Sequence, residues 1–107
     1  MGSISRLAYA IIGACAERLD ELTSQCLANS LWAAARLHLF GAKVEDFMRR
    51  SLQDLCMVRQ LRIFTPQGLA NILWAIAELS AGISVDRVAS LAPSGVEVTV
   101  ELVFLRV

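Results

Sequence analysis

Charge of one sign is missing from this 107-residue chain: ten Lys and Arg offset ten Asp and Glu, for a formal net charge of zero. Such a chain has no whole-molecule field to hold a polyanion, so any contact with nucleic acid must come from a local cluster. Histidine occurs once, as His38, with no second ligand candidate nearby, and Cys15, Cys26 and Cys56 lie far apart without a CxxC pair. That spacing supports neither a zinc site nor a disulfide framework. Reduced, buried thiols are the expectation, which favours an intracellular or organelle-interior compartment. Long hydrophobic runs are also scarce, although 56% of the residues are hydrophobic. The uncharged run Leu7 to Ala16 near the N-terminus has ten residues, half of the roughly 20 that a membrane-spanning helix needs. There is no Gly-rich phosphate loop and no His–Cys or Ser–His–Asp arrangement, and the carboxylates are scattered. An enzyme is not expected, nor a metal or cofactor.

Two N-terminal signals fail on inspection. "MGSISR" carries Arg6 where myristoylation requires Ser or Thr. "IIGAC" at 11 to 15 has the shape of a lipoprotein cleavage box, but the apolar segment Leu7 to Ile12 before it is shorter than the usual 7–15 or so residues. The plainer reading is the apolar face of a helix that continues through "AERLDEL".

What the chain does contain is one phrase written twice. "LANSLWAAARL" at 27 to 37 returns as "LANILWAIAEL" at 69 to 79, and ten of the fifteen positions from 23 to 37 are identical at a constant offset of 42. Thr23 pairs with Thr65, Gln25 with Gln67, Asn29 with Asn71 and Trp32 with Trp74. A period between about 20 and 50 residues marks stacked-repeat architectures. Each copy reads as the first helix of a pair: Thr23 and Thr65 are suited to cap it, and Pro66 fits the first helical position, where its missing N–H is harmless. Apolar spacing of three and four gives the second type of helix over Ile4 to Leu22, again over Val44 to Ile63 after the break at Gly41, and a third time over "VDRVASLA" after Gly82.

The expected fold is therefore all-α, a solenoid of antiparallel helix hairpins over 1–92, with a half repeat at 4–22, a repeat at 23–64 and a partial repeat at 65–92. Helix pairs of this kind bury their apolar stripes only against neighbours, so further repeats of a longer array are expected. Residues 93–107 break the rhythm. "VEVTVELVF" alternates apolar and polar residues as a strand does.

The frame Gln67-x-Leu69-Ala70-Asn71-x-Leu73-Trp74-Ala75-x-Ala77-x-Leu79 after Pro66 resembles the signature of octotricopeptide repeat proteins of algal, plant and protist organelles. Their relatives include the helical repeats of FAST-kinase-like and apicomplexan mitochondrial proteins. The resemblance covers roughly residues 4 to 90; the spacing is a few residues longer than that family's usual repeat, and the closing "PSGVEVTVELVFLRV" departs from it. It implies a helical-hairpin solenoid that binds single-stranded RNA in a chloroplast or mitochondrion and assists RNA processing, stability or translation.

Comparing the copies separates structural from functional candidates. The matched Leu27, Leu31 and Trp32, with Leu69, Leu73 and Trp74, read as the core that packs between helices, and Asn29 and Asn71 as structural residues bonded to a neighbouring helix or loop backbone. Bases could stack on the two tryptophans, but packing is the ordinary use of aromatics at helical spacing. The pairs that differ, Cys26/Gly68, Ser30/Ile72 and Ala34/Ile76, share one stripe where a repeat protein could read bases, although Gly68, Ile72 and Ile76 offer no hydrogen bond. Charge singles out residues 36 to 62, with a local balance of +3. Within them Arg36, Lys43, Arg49 and Arg50 are the RNA-contact candidates, set against an ordinary solvated face. The competing function is a HEAT-like scaffold that binds other proteins.

Overall fold

The computed structural model describes residues 2–81, and among these the regular structure is entirely helical. Helix α1 spans Gly2–Glu17 and is followed by a 3-10 turn at Leu19–Glu21; α2 spans Ser24–Arg36, α3 Ala42–Gln53 and α4 Pro66–Ser80. No helix among the described residues is long and apolar enough to cross a membrane. The expected helix after Gly82 and the alternating tail lie outside the described residues, as does the break at Gly82 itself.

The boundaries of α2 and α4 follow from their caps. Thr23 and Thr65 adopt extended backbone, and their hydroxyls accept from the backbone N–H of Cys26 at 3.1 Å and of Gly68 at 3.0 Å, with Pro66 in the first turn as expected. α2 ends on His38 in the left-handed region (φ 55°). The Leu39 N–H reaches the Ala34 carbonyl and the His38 N–H that of Ala35, both at 3.1 Å, which satisfies two carbonyls that the helix would otherwise leave unpaired. Leu39 then packs into the core together with Ala34. Gly41, at φ 103°, turns the chain into α3, a backbone angle open to glycine and few other residues.

The second-type helices are shorter than the periodicity implies. Over 4–22 the α-helix stops at Glu17, and over 44–63 it stops at Gln53 and passes into a π-helical turn at Asp54–Val58. Arg59 and Gln60 are extended, and a 3-10 turn at Leu61–Ile63 follows. At the end of the second of these helices the departure coincides with the contacts of Arg59. Its Nε meets Asp54 Oδ2 at 2.8 Å with both side chains about nine-tenths buried, its Nη2 donates to the Leu19 carbonyl at 3.3 Å, and its own N–H closes the wide turn on the Asp54 carbonyl at 2.7 Å. The guanidinium is thus held between α3 and the end of α1 where the backbone leaves the helical path.

Packing is dominated by two pairings, α2 against α4 and α1 against α3. Leu27, Leu31, Phe47 and Met48 are the large side chains fully enclosed between them, each worth about 1.5–3 kcal/mol of transfer free energy. Gly68 lies at the α2/α4 contact, where an added Cβ would make ordinary contact with that of Ala28 at 3.9 Å but crowd the capping hydroxyl of Thr65 at 3.2 Å.

The matched positions are not equally buried, and here the expected core is corrected. Leu27 and Leu31 are core. Their counterparts Leu69 and Leu73 are exposed, Leu73 at 55%. Trp32 and Trp74 are exposed by 41% and 39%, Asn29 is exposed and Asn71 half-buried. Conversely Gly68 and Ile72, on the stripe set aside for variation, are buried. Burial follows a helix's place in the stack and not its sequence alone: α2 meets α4 with one face, and α4 meets α2 with the opposite one. The thiols also depart from expectation, since Cys26 and Cys56 are exposed and Cys15 is half-buried, its sulfur 3.9 Å from Ser30 Oγ.

Candidate nucleic-acid interface

Residues 25, 29, 32 and 36 are separated by four, three and four, which places them in one line along α2. The same line on α4 is 67, 71, 74 and 78. Reading across, the two helices present Gln25, Asn29, Trp32 and Arg36 beside Gln67, Asn71, Trp74 and Glu78.

The structure fixes this face in the same way twice. Gln25 Nε2 donates to Asn29 Oδ1 at 3.0 Å, and Gln67 Nε2 donates to Asn71 Oδ1 at 2.9 Å. These are bonds along the helix surface, not the bonds to a neighbouring helix or loop expected for Asn29 and Asn71. Each uses one amide hydrogen of Gln and the oxygen of Asn, so the Asn amino group and the Gln oxygen keep donor and acceptor capacity, on an exposed Asn29 and a half-buried Asn71. The Trp32 and Trp74 rings approach to 6.3 Å between centroids, tilted by 41°, within the range of favourable aromatic contact. The Arg36 guanidinium carbon sits 5.7 Å from the Trp32 centroid, a cation–π distance. Part of each indole therefore packs on its neighbour while the rest meets solvent.

Of the four basic candidates, only Arg36 belongs to this face. Lys43 is exposed in the first turn of α3. Arg49 and Arg50, also on α3, both hold Asp46, Arg50 through Nε at 3.0 Å, and Arg50 Nη1 donates to the Ala16 carbonyl at 3.3 Å. Burial alone would raise the Asp46 carboxyl, but hydrogen bonds and charge from Arg49 and Arg50 outweigh it and hold the group below the ordinary carboxylate value. Part of the cationic character of α3 is thus spent on its own carboxylate. Arg49 and Arg50 lie on the helix paired with α1, whereas the tryptophans lie on the pair α2/α4.

Gln25 and Gln67 were not among the expected site residues. The signal was present in the repeat itself, since both stand four residues before a repeated Asn and seven before a repeated Trp. An open apolar hollow of about 260 Å³ lies between α1 and α2, bordered by Ile11, Ser30, Ala33 and Leu37 among others. Comparisons with protein-family models, with curated proteins and with solved structures return no match for this chain.

Proposed function

We propose that this chain is a module of stacked helical hairpins that binds single-stranded RNA across the Gln–Asn–Trp face of α2 and α4. The observation that carries the reading is the adjacent, half-exposed pair Trp32 and Trp74, flanked in both helices by the same bonded Gln–Asn pair. Exposed rings supply stacking surface for unpaired bases, and amides supply donors and acceptors to base edges. Arg36 adds a cation beside the first ring; Glu78 occupies the corresponding place beside the second, so phosphate contacts fall to Arg36 and to the α3 residues Lys43, Arg49 and Arg50. The pairing of first helix on first helix and second on second supports the stacked-hairpin reading. The octotricopeptide resemblance adds the organelle, chloroplast or mitochondrion, and the role in RNA processing, stability or translation.

The test is fluorescence anisotropy of a labelled single-stranded RNA pool at about 50 and 200 mM salt, the interval over which phosphate contacts weaken most. The expected result is salt-sensitive binding that quenches tryptophan fluorescence and that Trp32→Ala or Trp74→Ala weakens by about 1–3 kcal/mol each, the usual worth of a stacked base. Arg49→Ala with Arg50→Ala should lower affinity and flatten the salt response. Absence of binding by protein shown to be helical by circular dichroism refutes the RNA reading and leaves the protein-binding scaffold.

A further inference from the structure

The two copies of the repeated helix show what the open face of the second would fit. On α2 the stripe Ala28, Leu31 and Ala35 is buried, in the helix whose main partner is α4. The same stripe on α4, Ala70, Leu73 and Ala77, lies on the side opposite to the buried Gly68, Ile72 and Ala75, with Leu73 exposed at 55%. It is a second copy of a surface that the chain already uses for helix packing, with Ala70 and Leu73 exposed and Ala77 half-buried. The receiving surface has a second copy too. Ser30, Ala33 and Leu37 of α2 are the counterparts of Ile72, Ala75 and Leu79 of α4; Ser30 and Ala33 are only half-buried, Leu37 is exposed, and all three border the apolar hollow.

We infer that this chain associates head to tail with a second copy of itself, the Leu73 face of α4 in one copy seating on the Ser30–Ala33–Leu37 face of α2 in the next. The joint repeats, between molecules, the packing that α2 and α4 make within one. Zero net charge sets up no long-range repulsion between copies. Ser30 in place of Ile72 makes the receiving surface less apolar than its internal counterpart, so the joint is weaker than the α2/α4 packing. Because donor and receiving surfaces differ, each added copy leaves one of each free, and association continues past the dimer. The inference rests on the α2/α4 packing and is independent of RNA binding.

Sedimentation velocity of the full chain from about 5 to about 200 µM, a range that brackets micromolar association, tests it. The expected result is a weight-average sedimentation coefficient that rises with concentration beyond the dimer value. Leu73→Lys and Leu37→Lys, both at exposed positions, should each be monomeric throughout while keeping the helical spectrum of the parent. Mixed one to one, they should form a heterodimer and stop there, since one variant keeps a working receiving face and the other a working donor face. Monomeric parent protein up to the highest concentration overturns the inference. So does a Leu73→Lys variant that associates like the parent, or a mixture of the two variants that stays monomeric.

Discussion

Leu31 and Leu73 are the same residue in the same frame of two copies of one helix, and truncating each to Ala should have very different consequences. Leu31 is 0% exposed and Leu73 is 55% exposed. The substitution removes three carbons, about 2.4 kcal/mol of transfer free energy at roughly 0.8 per carbon when burial is complete. At Leu31 a cavity term adds to this because the surrounding core relaxes only in part, so a total loss of about 3–4 kcal/mol is expected. At Leu73 more than half of the side chain stays in water in the folded state and no enclosed cavity forms, so the loss should be about 1 kcal/mol or less. Urea denaturation followed by circular dichroism resolves the two cases. With a slope of about 1–2 kcal/mol per M for a chain of this size, Leu31→Ala should lower the midpoint by roughly 2 M and Leu73→Ala by well under 1 M. The assay belongs at low micromolar protein, where self-association does not shield Leu73. Equal losses at the two sites would refute the unequal burial of the two copies.

Other consequences can be checked in the same assay. Arg59→Met strands the nearly buried Asp54 carboxylate and should cost about 3–5 kcal/mol, whereas adding Asp54→Asn to it should recover a substantial part; a double variant as unstable as the sum of the singles would deny the coupling. His38→Gly relieves a side chain held at φ 55° and should stabilise by about 1 kcal/mol, raising Tm by roughly 4 °C or more. Asp46 is held below the ordinary carboxylate value by Arg49 and Arg50. A depressed folded pKa gives stability that is present above the unfolded value near 4 and is lost as pH falls through the folded one, so unfolding should become easier below about pH 4. With these side chains about 40% exposed, the effect should be small, and an Asp46→Asn variant should lack it.

The first helices were legible because their information is local. Capping by Thr23 and Thr65, the proline in the first turn and the apolar spacing are decided within a few residues, and both helices begin where those signals place them. The second helices were legible only as far as periodicity carries. Leu55, Met57, Val58, Leu61 and Ile63 continue the apolar pattern through a stretch that the structure bends away, where the Asp54–Arg59 pair and the Leu19 carbonyl meet only in the folded chain. The face of each helix that is buried could not be read from the repeat at all. Identity between copies says that two segments can make the same contacts, and Leu27 and Leu69 show that it does not say that both make them. The tryptophans sharpen the point. Their recurrence in an apolar frame argued for core, yet at 41% and 39% exposure each ring is packed on one side and wet on the other. A position that recurs at fixed spacing and stays at the edge of the packed stripe combines two demands, anchoring by a neighbouring copy and access to solvent. Gln25 and Asn29 recur as Gln67 and Asn71 on that same edge with the same bond between them. The repeat thus sets a row of matched Gln, Asn and Trp side chains beside a core, and the row holds the same local bond in both copies although Asn29 is exposed and Asn71 half-buried.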